Sequence, residues 1–122
     1  MKKILIIDDS AVMRNLLLDY LADLKFDVDA CGDAEEGISK AVTGDYDLCI
    51  CDMHMPKASG LDVLRQVREA RPELQFVFTD SLPDQLSEKV QKLGTFQYLH
   101  KPFELEQLRK IIVGLLKPVR TQ

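Results

Sequence analysis

The chain has 122 residues, 46% of them hydrophobic and 30% charged, with a formal net charge of −4; that is the length of one globular domain able to bury a core without disulfides or a structural metal. Its acidic residues are spread along the chain, and no cluster of Lys and Arg marks a nucleic-acid surface. The longest apolar run is only a few residues, too short to span a membrane.

The elements follow in chain order. Met1-Lys2-Lys3 is a basic flank, but the apolar run Ile4-Leu5-Ile6-Ile7 behind it is too short for a secretory signal and meets Asp8-Asp9. A cytoplasmic location is therefore expected. That run has the length and branching of a strand covered on both faces. Val12, Leu16, Leu17, Tyr20, Leu21 and Leu24 then recur at helical spacing. Phe26, Val28 and Ala30 alternate with Asp27 and Asp29, the pattern of an edge strand with one wetter face. Asp33, followed by Ala34, Glu35 and Glu36, opens a second helix as a carboxylate variant of the capping box.

Leu48-Cys49-Ile50-Cys51 is a second covered strand, ending in Asp52. Ser59 with Asp62 three residues on opens a third helix carrying Leu61, Leu64 and Val67. Phe76-Val77-Phe78 is a third covered strand, ending in Thr79. Pro83 suits a first helical position, with Leu86, Val90 and Leu93 behind it. Phe96, Tyr98 and His100 alternate with Gln97 and Leu99 as a second edge strand before Lys101-Pro102. Leu105, Leu108, Ile111, Ile112, Leu115 and Leu116 form the last amphipathic stripe. The three cysteines, Cys31, Cys49 and Cys51, are too few and too closely placed for a disulfide framework or a zinc site, and read as small buried hydrophobes.

This βα order, repeated five times without linker or repeat, predicts an α/β fold: a three-layer (βα)5 sandwich of flavodoxin-like type with a parallel five-stranded sheet of order 2-1-3-4-5. One domain is expected over residues 1–122, with a linker or tail from about residue 117. In such sheets the ligand lies at the carboxyl ends of the strands. Those ends carry Asp8-Asp9, Asp52, Thr79 and His100-Lys101-Pro102.

Three carboxylates, a hydroxyl and an ammonium should therefore meet in one pocket. Two like charges about 4 Å apart repel by ~4 kcal/mol at an effective dielectric near 20, so a hard divalent cation held through oxygens is expected among them. A carboxylate can attack phosphorus and form an acyl phosphate, with Lys101 and Thr79 binding the phosphoryl oxygens. Lys101 precedes a proline, whose restricted and sometimes cis peptide bond could aim it.

Asp8-Asp9-Ser10, Asp52-Met53-His54-Met55-Pro56 with Gly60, Thr79, and Lys101-Pro102-Phe103 resemble the signature of response-regulator receiver domains of two-component signalling. The stretch from Ile4 to Arg14 is most similar to chemotaxis-type members. The resemblance implies that Asp52 is the phosphoacceptor and that Mg²⁺ (or Mn²⁺) is the cofactor. Asp9 would bind it directly and Asp8 through metal-bound water, alongside Asp52 and the His54 backbone carbonyl. Thr79 and Tyr98 would be the switch pair, acting on the surface of the fourth helix, fifth strand and fifth helix. His54 and Asp80 would be modulators. The family usually carries Ala or Gly where this chain has Asp80. If Asp80 points into the site it adds a fourth negative charge and should weaken acyl-phosphate accumulation; if it points outward it should do little.

The implied partners are a sensor histidine kinase or histidine phosphotransfer protein and an output partner the sequence does not name. Direct contact with nucleic acid or membrane is not expected, nor is enzyme activity beyond assistance to its own phosphorylation and dephosphorylation. A monomer or a weak phosphorylation-dependent dimer is expected, either standing alone or as part of a longer regulator. Three rival readings differ in chemistry. A degenerate receiver would be a constitutive interaction module. A haloacid-dehalogenase-like phosphatase would need a second Asp where His54 stands. A flavin carrier would not place Asp8-Asp9-Ser10 against a phosphate.

Overall fold

The computed structural model describes residues 1–81, 85–94 and 96–116. Pro83, the Leu86 side chain and the expected tail from about residue 117 lie outside the described residues. Ten elements alternate: β1 (Lys3–Ile7), α1 (Ala11–Asp23), β2 (Asp27–Cys31), α2 (Ala34–Thr43), β3 (Leu48–Asp52), α3 (Gly60–Ala70), β4 (Gln75–Asp80), α4 (Gln85–Leu93), β5 (Gln97–His100) and α5 (Leu105–Leu115). All strand pairs are parallel and the order is β2-β1-β3-β4-β5. The expected fold class and strand order are those of the molecule.

Two cores form because successive strand side chains point to opposite faces. Ile4, Ile6, Leu48, Ile50, Val77 and Leu99 pack with Leu17 and Leu21 of α1 and Leu108 and Ile112 of α5. Leu5, Ile7, Cys49, Cys51, Phe76 and Phe78 pack with residues of α2, α3 and α4, including Ala41, Leu64, Val67 and Val90. Each fully buried large side chain contributes about 2 kcal/mol by removal from water. The cysteines are free and buried, as expected, and burial pushes the Cys31 thiol up to about 12.

The helix starts follow the sequence signals. Ser10 Oγ accepts from the Met13 amide, Asp33 from Glu36, and Ser59 and Asp62 form a reciprocal capping box. The α1 stripe is narrower than its apolar pattern suggests, since Val12 is 80% exposed and Leu16 45%. At roughly 100° per residue, Met13, Leu17, Leu21 and Leu24 define the inward face, and Val12 and Leu16 fall on its flank. In β5 the buried residue is Leu99, while Tyr98 is half-buried and His100 exposed. The drier face of this edge strand is thus the one toward α5, the reverse of what the run Phe96-Tyr98-His100 suggests.

Candidate functional site

Four strand ends meet at one rim of the sheet. The Asp8 amide extends the β1–β2 ladder by donating to the Cys31 carbonyl at 3.2 Å. The chain then turns, and Asp8 Oδ1 accepts from the Ser10 amide at 2.9 Å, the local bond that makes Asp a turn residue. Ser10 in turn caps α1. Arg14, one turn into that helix, reaches back so that its guanidinium donates to the Asp8 carbonyl at 2.9 Å. A β-carbon on Gly32 would sit 2.8 Å from the same guanidinium, so the absence of a side chain at Gly32 makes room for it. Sequence reasoning assigned Arg14 no role. Its only signal there was a cation six residues after the first aspartate.

Asp52 closes β3 and pairs in register with Thr79 of β4. Strand alternation sends both side chains to the face of Ile50 and Val77, the α1–α5 side. The chain beyond Asp52 is tied down twice: the Met53 amide donates to the Thr79 carbonyl at 2.8 Å, and the His54 amide lies 3.4 Å from Asp52 Oδ1. The start of α3 approaches closely here. A β-carbon on Gly60 would lie 3.1 Å from the Asp52 carbonyl oxygen and 3.2 Å from Met53 Cα, and backbone cannot yield as a side chain can.

Lys101 comes from the end of β5, where its amide donates to the Asp80 carbonyl at 2.7 Å and the Lys101–Pro102 bond is cis. Its ammonium sits 3.0 Å from Asp8 Oδ2 and 3.4 Å from Asp52 Oδ2. Oxygens of Asp8, Asp9 and Asp52 all lie within 4.8 Å of one another. Asp8 and Asp52 are buried and Asp9 is exposed. Three carboxylates against one ammonium leave an excess of negative charge over a set of oxygen donors, which fits a hard divalent cation.

Burial pushes the Asp52 carboxyl up to about 6, with the Asp8 charge adding to the rise and Lys101 opposing it. Burial by itself would lower the Lys101 ammonium, but its hydrogen bond to Asp8 and the charges of Asp8 and Asp52 outweigh it and hold it above its ordinary range. Both directions describe anionic charge crowded into a poorly hydrated corner.

Thr79 is 2% exposed, and its hydroxyl has no hydrogen-bond partner among the described residues. Such a buried orphan costs on the order of 1–3 kcal/mol. It marks a place where a polar group could be received.

Asp80 lies elsewhere. Alternation turns it to the face of Phe78, away from Asp52 and Thr79, and it does not join the cluster of three carboxylates. It is fully buried, with Oδ1 3.2 Å from His54 Nε2 and Oδ2 accepting from the Tyr98 hydroxyl at 3.3 Å. The structure thus brings together Asp8, Asp9, Asp52 and Lys101, with Thr79 beside them on β4. Tyr98 and the His54 ring belong to a neighbouring polar group around Asp80.

Comparison with known proteins bears on this rim. The response regulator receiver domain family model matches residues 4–113. Transcriptional regulatory protein CiaR of Streptococcus pneumoniae is 38% identical over 120 residues, covering 96% of this chain and 52% of CiaR. The chain spans about half the length of the curated relatives it matches (48% and 52% for two of them). Response regulator protein TrrA of Thermotoga maritima, solved in complex with Mg²⁺-BeF, superimposes with a TM-score of 0.85 at 28% identity, covering 95% of this chain and all of the other. Chemotaxis protein CheY4 of Vibrio cholerae gives a TM-score of 0.86 at 26% identity, covering 95% and 99% of the two chains.

Proposed function

Because this chain belongs to the response-regulator receiver family, we propose that it accepts one phosphoryl group on Asp52 from a phosphohistidine donor and relays that event through its surface. The observation that carries the reading is the position of Lys101, whose ammonium stands between Asp8 and Asp52 at 3.0 and 3.4 Å. Asp52 Oδ would attack phosphorus while the donor imidazole departs with the electron pair of the broken P–N bond. Lys101 meets the incoming phosphoryl oxygens, and the orphan hydroxyl of Thr79 supplies a further donor.

Asp8, Asp9, Asp52 and the His54 carbonyl would hold Mg²⁺, as the oxygen-only donor set favours. The ion would supply charge neutralisation for the acceptor and the transferred group. Support for Mg²⁺ comes from the three-carboxylate cluster and from TrrA, whose structure contains Mg²⁺-BeF. Thr79 and Tyr98 are the proposed switch pair, acting on the surface of α4, β5 and α5. The donor is a sensor histidine kinase or a histidine phosphotransfer protein, met in the cytoplasm. CiaR is a transcriptional regulatory protein, so the expectation of no nucleic-acid contact concerns the receiver domain alone.

The test is intact-mass measurement after incubation with acetyl phosphate or phosphoramidate and Mg²⁺. One added phosphoryl group is expected, and none in Asp52→Asn. No addition to the unaltered chain would turn the reading to a constitutive interaction module, and continuous turnover of a phosphomonoester to a phosphatase. The expected weakening of acyl-phosphate accumulation by Asp80 required its side chain to enter the site, and it lies on the other face of the sheet with His54 and Tyr98. In the same assay Asp80→Ala should therefore match the parent in yield and decay rate, and a higher yield in the variant would restore a direct effect on the acceptor.

A further inference from the structure

The group around Asp80 belongs to this chain's particular residues rather than to the acceptor site. A carboxylate withdrawn from water must be met by donors, since an unmet one is costly. Asp80 is fully buried, and its two oxygens are met from two different elements. His54 Nε2 approaches Oδ1 at 3.2 Å from the loop after β3, and the Tyr98 hydroxyl donates to Oδ2 at 3.3 Å from β5. The Asp80 main chain adds a third link, its carbonyl accepting from the Lys101 amide at 2.7 Å. One residue therefore spans the acceptor loop, the end of β4 and the edge strand. Phe78 flanks the Tyr98 ring, with centroids 6.0 Å apart.

We propose that Asp80 is a positioning residue that holds the Tyr98 ring inward by its hydroxyl, whether or not Asp52 is modified. A small residue at position 80 would remove this acceptor and shift the ring's preference toward outward orientations. With Asp80 present the inward orientation is selected in advance by a hydrogen bond to a buried carboxylate. Such a bond biases the two orientations by about tenfold. Its consequence for signalling rests on the switch reading of Tyr98: the ring takes its inward position before any phosphoryl group arrives.

The test uses the full chain labelled with 3-fluorotyrosine. Its three tyrosines are Tyr20, Tyr46 and Tyr98, and Tyr98→Phe assigns the line of interest. Without phosphodonor, the Tyr98 ¹⁹F line is expected narrow and single in the parent. In Asp80→Ala it should be shifted and exchange-broadened, with about a tenfold larger outward population, while the Tyr20 and Tyr46 lines stay in place. Identical Tyr98 lines in the two proteins would overturn the proposal, as would equal movement of all three lines. Should Asp80→Ala fail to fold, the parent protein alone decides: a Tyr98 χ1 unchanged on adding beryllofluoride and Mg²⁺ supports the clamp, and a ring that changes rotamer refutes it. The comparison without phosphodonor does not depend on Asp52 being modified, and intact mass of parallel samples incubated with acetyl phosphate and Mg²⁺ tests the phosphoacceptor reading separately.

Discussion

Asp52 is held where its charged form is disfavoured, and this has a measurable sign. Its folded pKa is raised to about 6, against ~3.9 for an unperturbed Asp. Between those values the native state binds more protons than the unfolded state, so stability falls as pH rises through this window. The loss is complete above pH 6 and amounts to on the order of 2–3 kcal/mol. In metal-free buffer Asp52→Asn should therefore be more stable than the parent at pH 8 by about 2 kcal/mol, and nearly equal to it at pH 4. Urea denaturation at the two pH values measures the difference, and a variant no more stable at pH 8 would contradict the burial argument. Lys101 would keep its contact with Asp8 in that variant, so the ammonium would not be stranded.

At the scale of single elements, the ends of the helices govern how the site is presented. The capping box of Ser59 and Asp62 starts α3 immediately after the acceptor loop, and Gly60 lets that start lie against the Asp52 backbone. Ser59→Ala removes the acceptor for the Asp62 amide and should destabilise the protein by about 1 kcal/mol. At the other end of α1, Lys25 adopts φ 73°. There its amide donates to the Ala22 carbonyl and the Phe26 amide to the Leu21 carbonyl, the paired bonds of a Schellman ending. A residue with a β-carbon is strained in that conformation, so Lys25→Gly should raise stability by up to about 1 kcal/mol. Thermal unfolding of the two variants should show shifts of opposite sign.

Across the whole molecule, the parallel order β2-β1-β3-β4-β5 is what converts separated residues into one rim. β1 and β3 are neighbours at the centre, so Asp8 and Asp52 face each other, and β4 and β5 complete the rim with Thr79 and Lys101. A cation bound there would link the ends of β1 and β3. Ligand binding to the native state stabilises by RT ln(1 + [L]/Kd), and Mg²⁺ at a hundred times its Kd would add about 2.7 kcal/mol. The melting temperature should rise with Mg²⁺ in the parent and stay flat in Asp9→Asn. Equal rises in both would place the ion elsewhere.

Much of this was legible in the linear chain. The runs Ile4-Leu5-Ile6-Ile7, Leu48-Cys49-Ile50-Cys51 and Phe76-Val77-Phe78 are continuous because both faces of a central parallel strand are covered, and the alternation of Phe26, Val28 and Ala30 belongs to an edge. Strand type, strand order and the rim carrying Asp8, Asp9, Asp52, Thr79 and Lys101 follow from those patterns and from period-two geometry. Side-chain direction at the limits of elements did not. Val12 and Leu16 are apolar but lie on the flank of α1, because a helix of 3.6 residues per turn buries a stripe rather than every apolar position. The sequence ended the fourth strand at Thr79 and placed Asp80 only as the next residue. Only the packed structure turned it away from Asp52 and joined it to His54 and Tyr98, because burial of a carboxylate is decided by donors that arrive from other elements. Local pattern determines which residues reach the rim, and tertiary contact decides which of them touch.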